Sequence, residues 1–241
     1  MSVSAIVAAA GQGRRMGDLG NKQLLLLGGK PVLARTLEVF ESSRLIDEVV
    51  LLAPEELVDT YRSVLVDKYG FQKVRRIVPG GLERQDSVYK GLEAVDPKAD
   101  LVLVHDGARP LVTVDLIRRV VDAALIDGAA GAAVPVKDTV KRVGPDLTIL
   151  ETPPRDSLWL MQTPQVFSCR LLFKAYQEAV AAGLRATDDS MLVERLGVPV
   201  RVVPGSYENI KITTPGDLAQ AEAILAKREK WSGNGSDWDG L

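Results

Sequence analysis

The chain has 241 residues, 46% hydrophobic and 26% charged, with a formal net charge of -2. That length fits one large domain with a sizeable core, and so small a net charge argues against a broad electropositive surface for nucleic acid. One cysteine, Cys169, leaves no intrachain disulfide, and with a single histidine there is no ligand set for structural zinc; both fit a reducing cytoplasm.

The apolar start lacks a basic leader and breaks at Gly11, and no apolar run approaches the ~20 residues of a membrane span. The expectation is an unsecreted protein with no membrane partner. Ile6–Ala9 is expected as a buried strand, Pro31–Ser43 as a helix with proline in its first turn, Glu48–Ala53 as a strand and Glu55–Lys68 as a helix. Arg76–Val78 is a short strand, Asp86–Val95 a helix, Leu101–Val104 a strand, Val114–Ile126 a helix capped by Thr113, and Ala132–Val136 a strand. These strands are continuous apolar runs, the pattern of a parallel sheet covered on both faces.

After Val136 the pattern changes. Lys137–Val143 and Thr148–Thr152 flank the turn cluster Gly144-Pro-Asp146 and read as a hairpin of mixed polarity, about residues 137–153. Such a hairpin has little core of its own and should pack on something else, a second subunit among the options. Leu171–Ala182 and Ser190–Leu196 are expected helices, and Val200–Val203 and Asn209–Ile212 expected strands. Thr214-Pro-Gly-Asp217 starts a last helix that runs to about Glu229. The Gly-, Ser- and Asp-rich tail from Trp231 to Leu241 is expected to be flexible, leaving residues 1–230 as a single domain. The fold class is therefore α/β: a Rossmann-like, mostly parallel sheet with helices on both faces and a protruding β-hairpin arm. Ligands of such sheets sit beyond the carboxyl ends of the strands, so the loops after Ala9, Val78, Val104 and Val136 are where a site belongs.

The first of those loops is Gly11-Gln-Gly-Arg-Arg-Met-Gly17. It fails the dinucleotide fingerprint, because Met16 stands where the third glycine belongs, and no register supplies a P-loop. Arg14 and Arg15 lie inside it and Lys22 just beyond. Fixed cations of this kind suit a triphosphate whose pyrophosphate gains charge as it leaves. Ala9 through Gly17, followed by Lys22-Gln23, resembles the signature loop of the sugar-phosphate nucleotidyltransferases, and within them the 2-C-methyl-D-erythritol 4-phosphate cytidylyltransferases of the non-mevalonate isoprenoid route. The resemblance runs from about Val3 to Glu229, with Asn21 where that family commonly has proline.

Further motifs follow the strands. In Gly80-Gly-Leu-Glu-Arg-Gln-Asp-Ser87 the glycines admit a planar ring and Ser87 can hydrogen-bond its edge; the resemblance assigns the segment to cytosine, with Leu82 in a place commonly held by aspartate. In His105-Asp-Gly-Ala-Arg-Pro110, Asp106 at a strand's carboxyl end suits Mg²⁺ and orientation of the acceptor, Arg109 suits pairing with a carboxylate, and His105 is read as structural. The resemblance implies that Thr139 and Arg155 reach across a homodimer to the acceptor phosphate, that Thr187 contacts the acceptor and that Lys211 positions it. Glu208, matched by aspartate in the family, is a weaker metal candidate.

The implied reaction transfers a cytidylyl group from CTP to 2-C-methyl-D-erythritol 4-phosphate, releasing pyrophosphate and forming 4-diphosphocytidyl-2-C-methyl-D-erythritol. The expected catalytic residues are Arg15, Lys22, Arg155 and Lys211. Nucleotide binding falls to Ala9, Ala10, Gly11, Gly13, Gly81, Ser87, Asp106 and Gly107, and acceptor binding to Asp106, Arg109, Thr139, Arg155, Thr187 and Lys211. Ribitol 5-phosphate is the alternative acceptor. A dinucleotide-dependent oxidoreductase and a catalytically dead nucleotide-binding module are the alternatives of other classes.

Overall fold

Apolar runs with helical partners on both sides build one sheet. In a computed structural model of the chain, the residues described are 1–11 and 21–233. Gly13, Arg14, Arg15 and Gly17 of the first loop, and most of the tail, lie outside them. In chain order the elements are β1 (Val3–Ala8), β2 (Leu26–Leu27), β3 (Lys30–Pro31), α1 (Val32–Ser42), β4 (Glu48–Ala53) and a helical segment containing α2 (Val58–Tyr61). Then come β5 (Val74–Pro79), α3 (Arg84–Glu93), β6 (Leu101–Asp106), α4 (Val114–Asp127) and β7 (Ala129–Pro135). The remainder is β8 (Arg142–Val143), β9 (Ile149–Glu151), β10 (Trp159–Ser168), α5 (Cys169–Ala181), α6 (Asp189–Arg195), β11 (Arg201–Pro204) and α7 (Pro215–Gly233).

The main sheet has seven strands in the order β11-β7-β10-β6-β1-β4-β5, with β10 antiparallel to both neighbours and every other pairing parallel. This is the expected mostly parallel α/β architecture. Alternate residues of β1 feed opposite faces. Val3, Ala5 and Val7 join Leu33, Leu37 and Phe40 of α1 and Ile117 and Val121 of α4. Ile6 joins Val88 and Leu92 of α3, Leu172 and Tyr176 of α5 and Leu192 of α6. After β5 the chain returns to the other side of β1 as β6, so a crevice opens beyond the carboxyl ends of β1 and β6, where ligands of such sheets bind.

Local chemistry sets the helix ends. The Thr113 hydroxyl accepts from Leu116 N at 3.2 Å, a cap that stabilises α4 by about 1 kcal/mol, and Gly128 closes the helix at a φ of 79°. Asp217 Oδ2 accepts from Thr213 N and Thr214 N at 2.8 and 2.7 Å, starting α7 at the expected Thr-Pro-Gly-Asp.

Three expectations need correction. β10 is a central ten-residue strand absent from the sequence reading, because Gln162, Thr163 and Gln165 put polar groups and Pro164 a missing donor in its middle. A register shift between Met161 and Gln165 absorbs the proline, and the buried amides find partners: Gln162 Nε2 donates to Ser206 O and Gln165 Nε2 to Asp188 Oδ2. Residues 209–212, expected as a strand, join no sheet. Their backbone is held by Arg109 Nη1 donating to Asn209 O at 2.8 Å, Ile212 N to Ala108 O at 2.8 Å and Lys22 Nζ to Ile212 O at 3.3 Å. The last helix continues past Glu229 to Gly233.

The hairpin pairs over less of its length than its polarity suggested: Arg142 opposite Glu151 and Val143 opposite Ile149. Val143, Leu147, Ile149 and Leu150 on it are exposed, as are Trp159 and Leu160 at its base. Such a cluster of exposed apolar side chains on two short strands is incomplete as a packing unit. No helix among the described residues is long and apolar enough to cross a membrane.

Candidate active site

A cavity of about 630 Å³ opens at the carboxyl ends of β1 and β6, a size suited to a nucleotide. It is lined by Ala8, Ala10 and Gly11 with Lys22 and Gln23, by Gly81, Leu82, Glu83, Arg84 and Ser87 from the segment that enters α3, and by Asp106, Ala108 and Lys211. The segments after β1 and β5 meet closely. A Cβ on Gly80 would clash with Ala10 Cβ, so glycine there lets the two segments touch. Ser87 Oγ accepts from Gly81 N at 2.9 Å and donates to Glu83 O at 2.9 Å, which shapes the turn before α3.

Asp106 is the electrostatic centre. It is buried, its backbone N donates to Thr163 Oγ1 at 3.0 Å, and three cations surround its carboxylate. Lys211 Nζ lies 2.8 Å and Arg109 Nε 3.4 Å from Oδ2, and Arg84 Nε 3.3 Å from Oδ1. Burial alone would raise the Asp106 pKa, but Lys211, Arg84 and Arg109 together hold it well below the usual carboxylate range. The group is ionised throughout the neutral range.

A second cavity of about 130 Å³ adjoins the first across Arg84, Asp106 and Lys211. Arg109, Thr187 and Asp188 line it as well, with Gln162, Thr163 and Gln165 of β10. Two adjoining cavities with shared cations fit two phosphorylated ligands meeting at one point.

The expected residues therefore divide. Ala10, Gly11, Lys22, Gly81, Ser87, Asp106 and Lys211 share the large cavity, and Arg109 and Thr187 join Asp106 and Lys211 in the small one. Ala9 and Gly107 do not reach the wall. The Ala9 side chain is buried in the core, and a Cβ on Gly107 would press on Leu33 and Ala9 at 3.0 and 3.1 Å, so Gly107 is a packing glycine. Thr139 and Arg155 line neither cavity; both are exposed at the arm, where Arg155 Nη1 donates to Lys137 O at 3.0 Å. Glu208 is absent from both cavity walls. Arg228 holds its Oε2 at 3.0 Å and Lys227 its Oε1 at 3.7 Å, so it braces α7 and is not placed to ligate a metal beside Asp106. Gly13 and Arg15 fall outside the described residues. Arg84 was missed as a site residue. Its signal, an arginine two residues before the aspartate of Arg-Gln-Asp86, has meaning only once Asp106 and Asp189 are beside it.

Among the described residues, no group of three or more His, Cys, Asp or Glu side chains gathers to hold a metal. Asp106 and Glu83 are the carboxylates in the large cavity's wall. Mg²⁺ takes one or two carboxylates and completes its shell with phosphate oxygens and water, so this sparse donor set fits Mg²⁺ brought with a nucleotide.

His105 is fully buried 5.2 Å from the Phe40 ring, with Nε2 3.2 Å from Arg109 O and Nδ1 without a partner. Nε2 is thus the donating nitrogen. Burial lowers its pKa to about 4. Its folded value lies below the ordinary 6.5, so the unfolded chain takes up the proton first as pH falls. Stability is expected to drop by about 3 kcal/mol between pH 6.5 and 4. Urea midpoints measured across that window should show the drop, and His105→Gln should flatten it.

A family model described as "IspD: 2-C-methyl-D-erythritol 4-phosphate cytidylyltransferase" matches residues 3–227. The 2-C-methyl-D-erythritol 4-phosphate cytidylyltransferase of Geobacter metallireducens is 50% identical over 231 residues, covering 95% of this chain and 99% of that one. That of Alkaliphilus oremlandii is 48% identical over 227 residues, covering 94% and 96%. A crystal structure of 4-diphosphocytidyl-2C-methyl-D-erythritol synthase from Anaerococcus prevotii superposes with a TM-score of 0.83 at 36% identity, covering 93% of this chain and 96% of that one. The Thermus thermophilus cytidylyltransferase superposes with a TM-score of 0.77 at 38% identity, covering 94% and 100%.

Proposed function

The chain belongs to the 2-C-methyl-D-erythritol 4-phosphate cytidylyltransferase family, and from that premise we infer that its paired cavities transfer the cytidylyl group of CTP to 2-C-methyl-D-erythritol 4-phosphate. The products are pyrophosphate and 4-diphosphocytidyl-2-C-methyl-D-erythritol, a precursor in isoprenoid synthesis. The single observation that carries the reading is Asp106 with Lys211, Arg84 and Arg109 where the two cavities meet. The family match favours methylerythritol phosphate over ribitol 5-phosphate as acceptor.

The acceptor's phosphate oxygen attacks the α-phosphorus of CTP, the bond to the pyrophosphate oxygen breaks, and pyrophosphate leaves in line. The reaction needs little covalent help from protein, so positioning and charge stabilisation supply the rate. Lys22, with Arg15 from the first loop, stabilises the charge that moves onto pyrophosphate. Ala10, Gly11, Gly81 and Ser87 hold the nucleotide. Lys211, Arg109 and Thr187 receive the acceptor, and Asp106 orients it. Asp106 is the residue that would hold Mg²⁺, which would supply neutralisation of phosphate charge there. The test is pyrophosphate release with each of the four triphosphates against a panel of polyol phosphates. Turnover confined to CTP and methylerythritol phosphate is expected; faster turnover with ribitol 5-phosphate would refute the acceptor assignment.

Thr139 and Arg155 act from the arm of a partner protomer in a cytoplasmic homodimer. The exposed apolar side chains of the arm, and the absence of both residues from the linings of their own chain's cavities, support this. Lys22→Ala and Arg155→Ala proteins, each nearly inactive, should regain roughly a quarter of wild-type turnover when mixed and re-equilibrated, because one site of each mixed dimer is then intact. No recovery in verified mixed dimers would mean that Arg155 serves its own chain.

A further inference from the structure

Arg84 begins α3 in the wall that the two cavities share. Its guanidinium spans two carboxylates, with Nε 3.3 Å from Asp106 Oδ1 and Nη2 2.7 Å from Asp189 Oδ2. Asp189, at the start of α6, is fully buried and lines neither cavity. Its other oxygen, Oδ1, accepts from the Tyr176 hydroxyl at 2.5 Å. Tyr176 on α5 is buried too, its ring stacked on Tyr89 at 5.5 Å with an interplanar angle of 7°. Side chains from three helices thus meet at the Asp189 carboxylate.

An ionic group in an apolar setting is a poor device for stability, since well-packed hydrophobic residues serve as well or better. It is an effective device for orientation. The fork of an arginine has fixed angles, and with Nη2 anchored on a buried carboxylate its Nε direction is set. That direction ends on Asp106 Oδ1, leaving Oδ2 to Lys211 and Arg109 at 2.8 and 3.4 Å. The two oxygens of Asp106 are thereby assigned to different partners, and rotation of the carboxylate is blocked.

We propose that Arg84 is a positioning residue, aimed by the buried Asp189–Tyr176 pair, that fixes the orientation of Asp106 for cytidylyl transfer. This rests on the reading of Asp106 given above. Tyr176→Phe keeps the stacked ring and removes only the hydroxyl. It should lower kcat about tenfold and move KM for either substrate less than about threefold. Arg84→Lys keeps the charge and loses the fork, and should lower kcat about a hundredfold. In the double variant the loss of the hydroxyl should add nothing further, because the group it aims is gone. Lowered melting temperatures with wild-type kcat in both single variants would overturn the proposal, and so would losses that multiply in the double variant, or a rise in KM alone. A crystal structure of the Tyr176→Phe protein gives a readout independent of activity: Arg84 displaced from Asp106 supports the proposal, and Arg84 unmoved overturns it. Wild-type protein assayed alongside separates the two levels. If it fails to turn over CTP and the acceptor, the functional reading falls by itself and the crystal structure alone decides the role of Arg84.

Discussion

Lys22→Ala is expected to lower kcat by about 10²–10³ while leaving the melting temperature close to that of the parent. The reason lies in where charge develops. As pyrophosphate departs, negative charge accumulates on the bridging oxygen and the β-phosphate, and a fixed cation in the cavity wall stabilises that state more than the bound substrate. Lys22 stands in that wall, and its Nζ is steadied by Ile212 O at 3.3 Å, on the segment that also carries Lys211. A contact stronger in the transition state than in the ground state appears in kcat, so KM for CTP should rise less than kcat falls. Lys22→Arg, which keeps the charge on a bulkier planar head, should recover part of the loss. Near-wild-type turnover of a folded Lys22→Ala protein would remove Lys22 from the mechanism. A loss confined to KM would reduce it to a ground-state anchor.

The cavity's location was legible in the sequence because parallel strands buried on both faces are continuous apolar runs. Val3–Ala8, Glu48–Ala53 and Leu101–Asp106 stand side by side in the sheet, and the residues that follow them are the obvious places for chemistry. What escaped was structure built from polar groups satisfied at long range. Gln162, Thr163 and Gln165 look like a loop until Ser206, Asp188 and Asn209 are there to pair with them, and only then does β10 close the sheet between β6 and β7. Residues 209–212 fail in the opposite sense: an apolar alternation suggested a strand, but Arg109, Ala108 and Lys22 engage the backbone that a neighbouring strand would need. Arg84 is the same lesson in the site. Its role depends on Asp106 and Asp189, supplied by β6 and α6, and no local pattern announces either partner. Glu208 and Lys211 are close in sequence, yet the turn that carries them sends Lys211 toward Asp106 and Glu208 toward Arg228.

Asp106→Asn should separate the two tasks that meet at this residue. The change is nearly isosteric and can keep the backbone bond to Thr163, but it leaves Arg84, Arg109 and Lys211 around a neutral amide. Breaking a fully enclosed ion pair costs about 3–5 kcal/mol; Arg84 and Lys211 are partly open to the cavities, so about 1–3 kcal/mol is expected here. The pH dependence has a definite sign. The folded pKa of Asp106 lies below its unfolded value, so the stabilisation is present above about pH 4 and is lost as the pH falls further. Parent and variant stabilities should therefore converge at acid pH and differ most near neutrality. Activity should respond differently. Removing a negative charge makes the cavity more attractive to a triphosphate, and Mg²⁺ would still be carried by the triphosphate's own oxygens, so KM for CTP should hold or fall. Meanwhile kcat should drop by about 10²–10³, because Lys211 loses the partner that aims it and the acceptor loses an orienting group. That opposition is diagnostic. Weaker CTP binding with unchanged kcat would mean that Asp106 grips the nucleotide itself, and a fall in kcat matched by the fall in stability would mean that it only holds the fold. A large drop in kcat with CTP bound at least as well is the outcome that places Asp106 at the step where the two substrates meet.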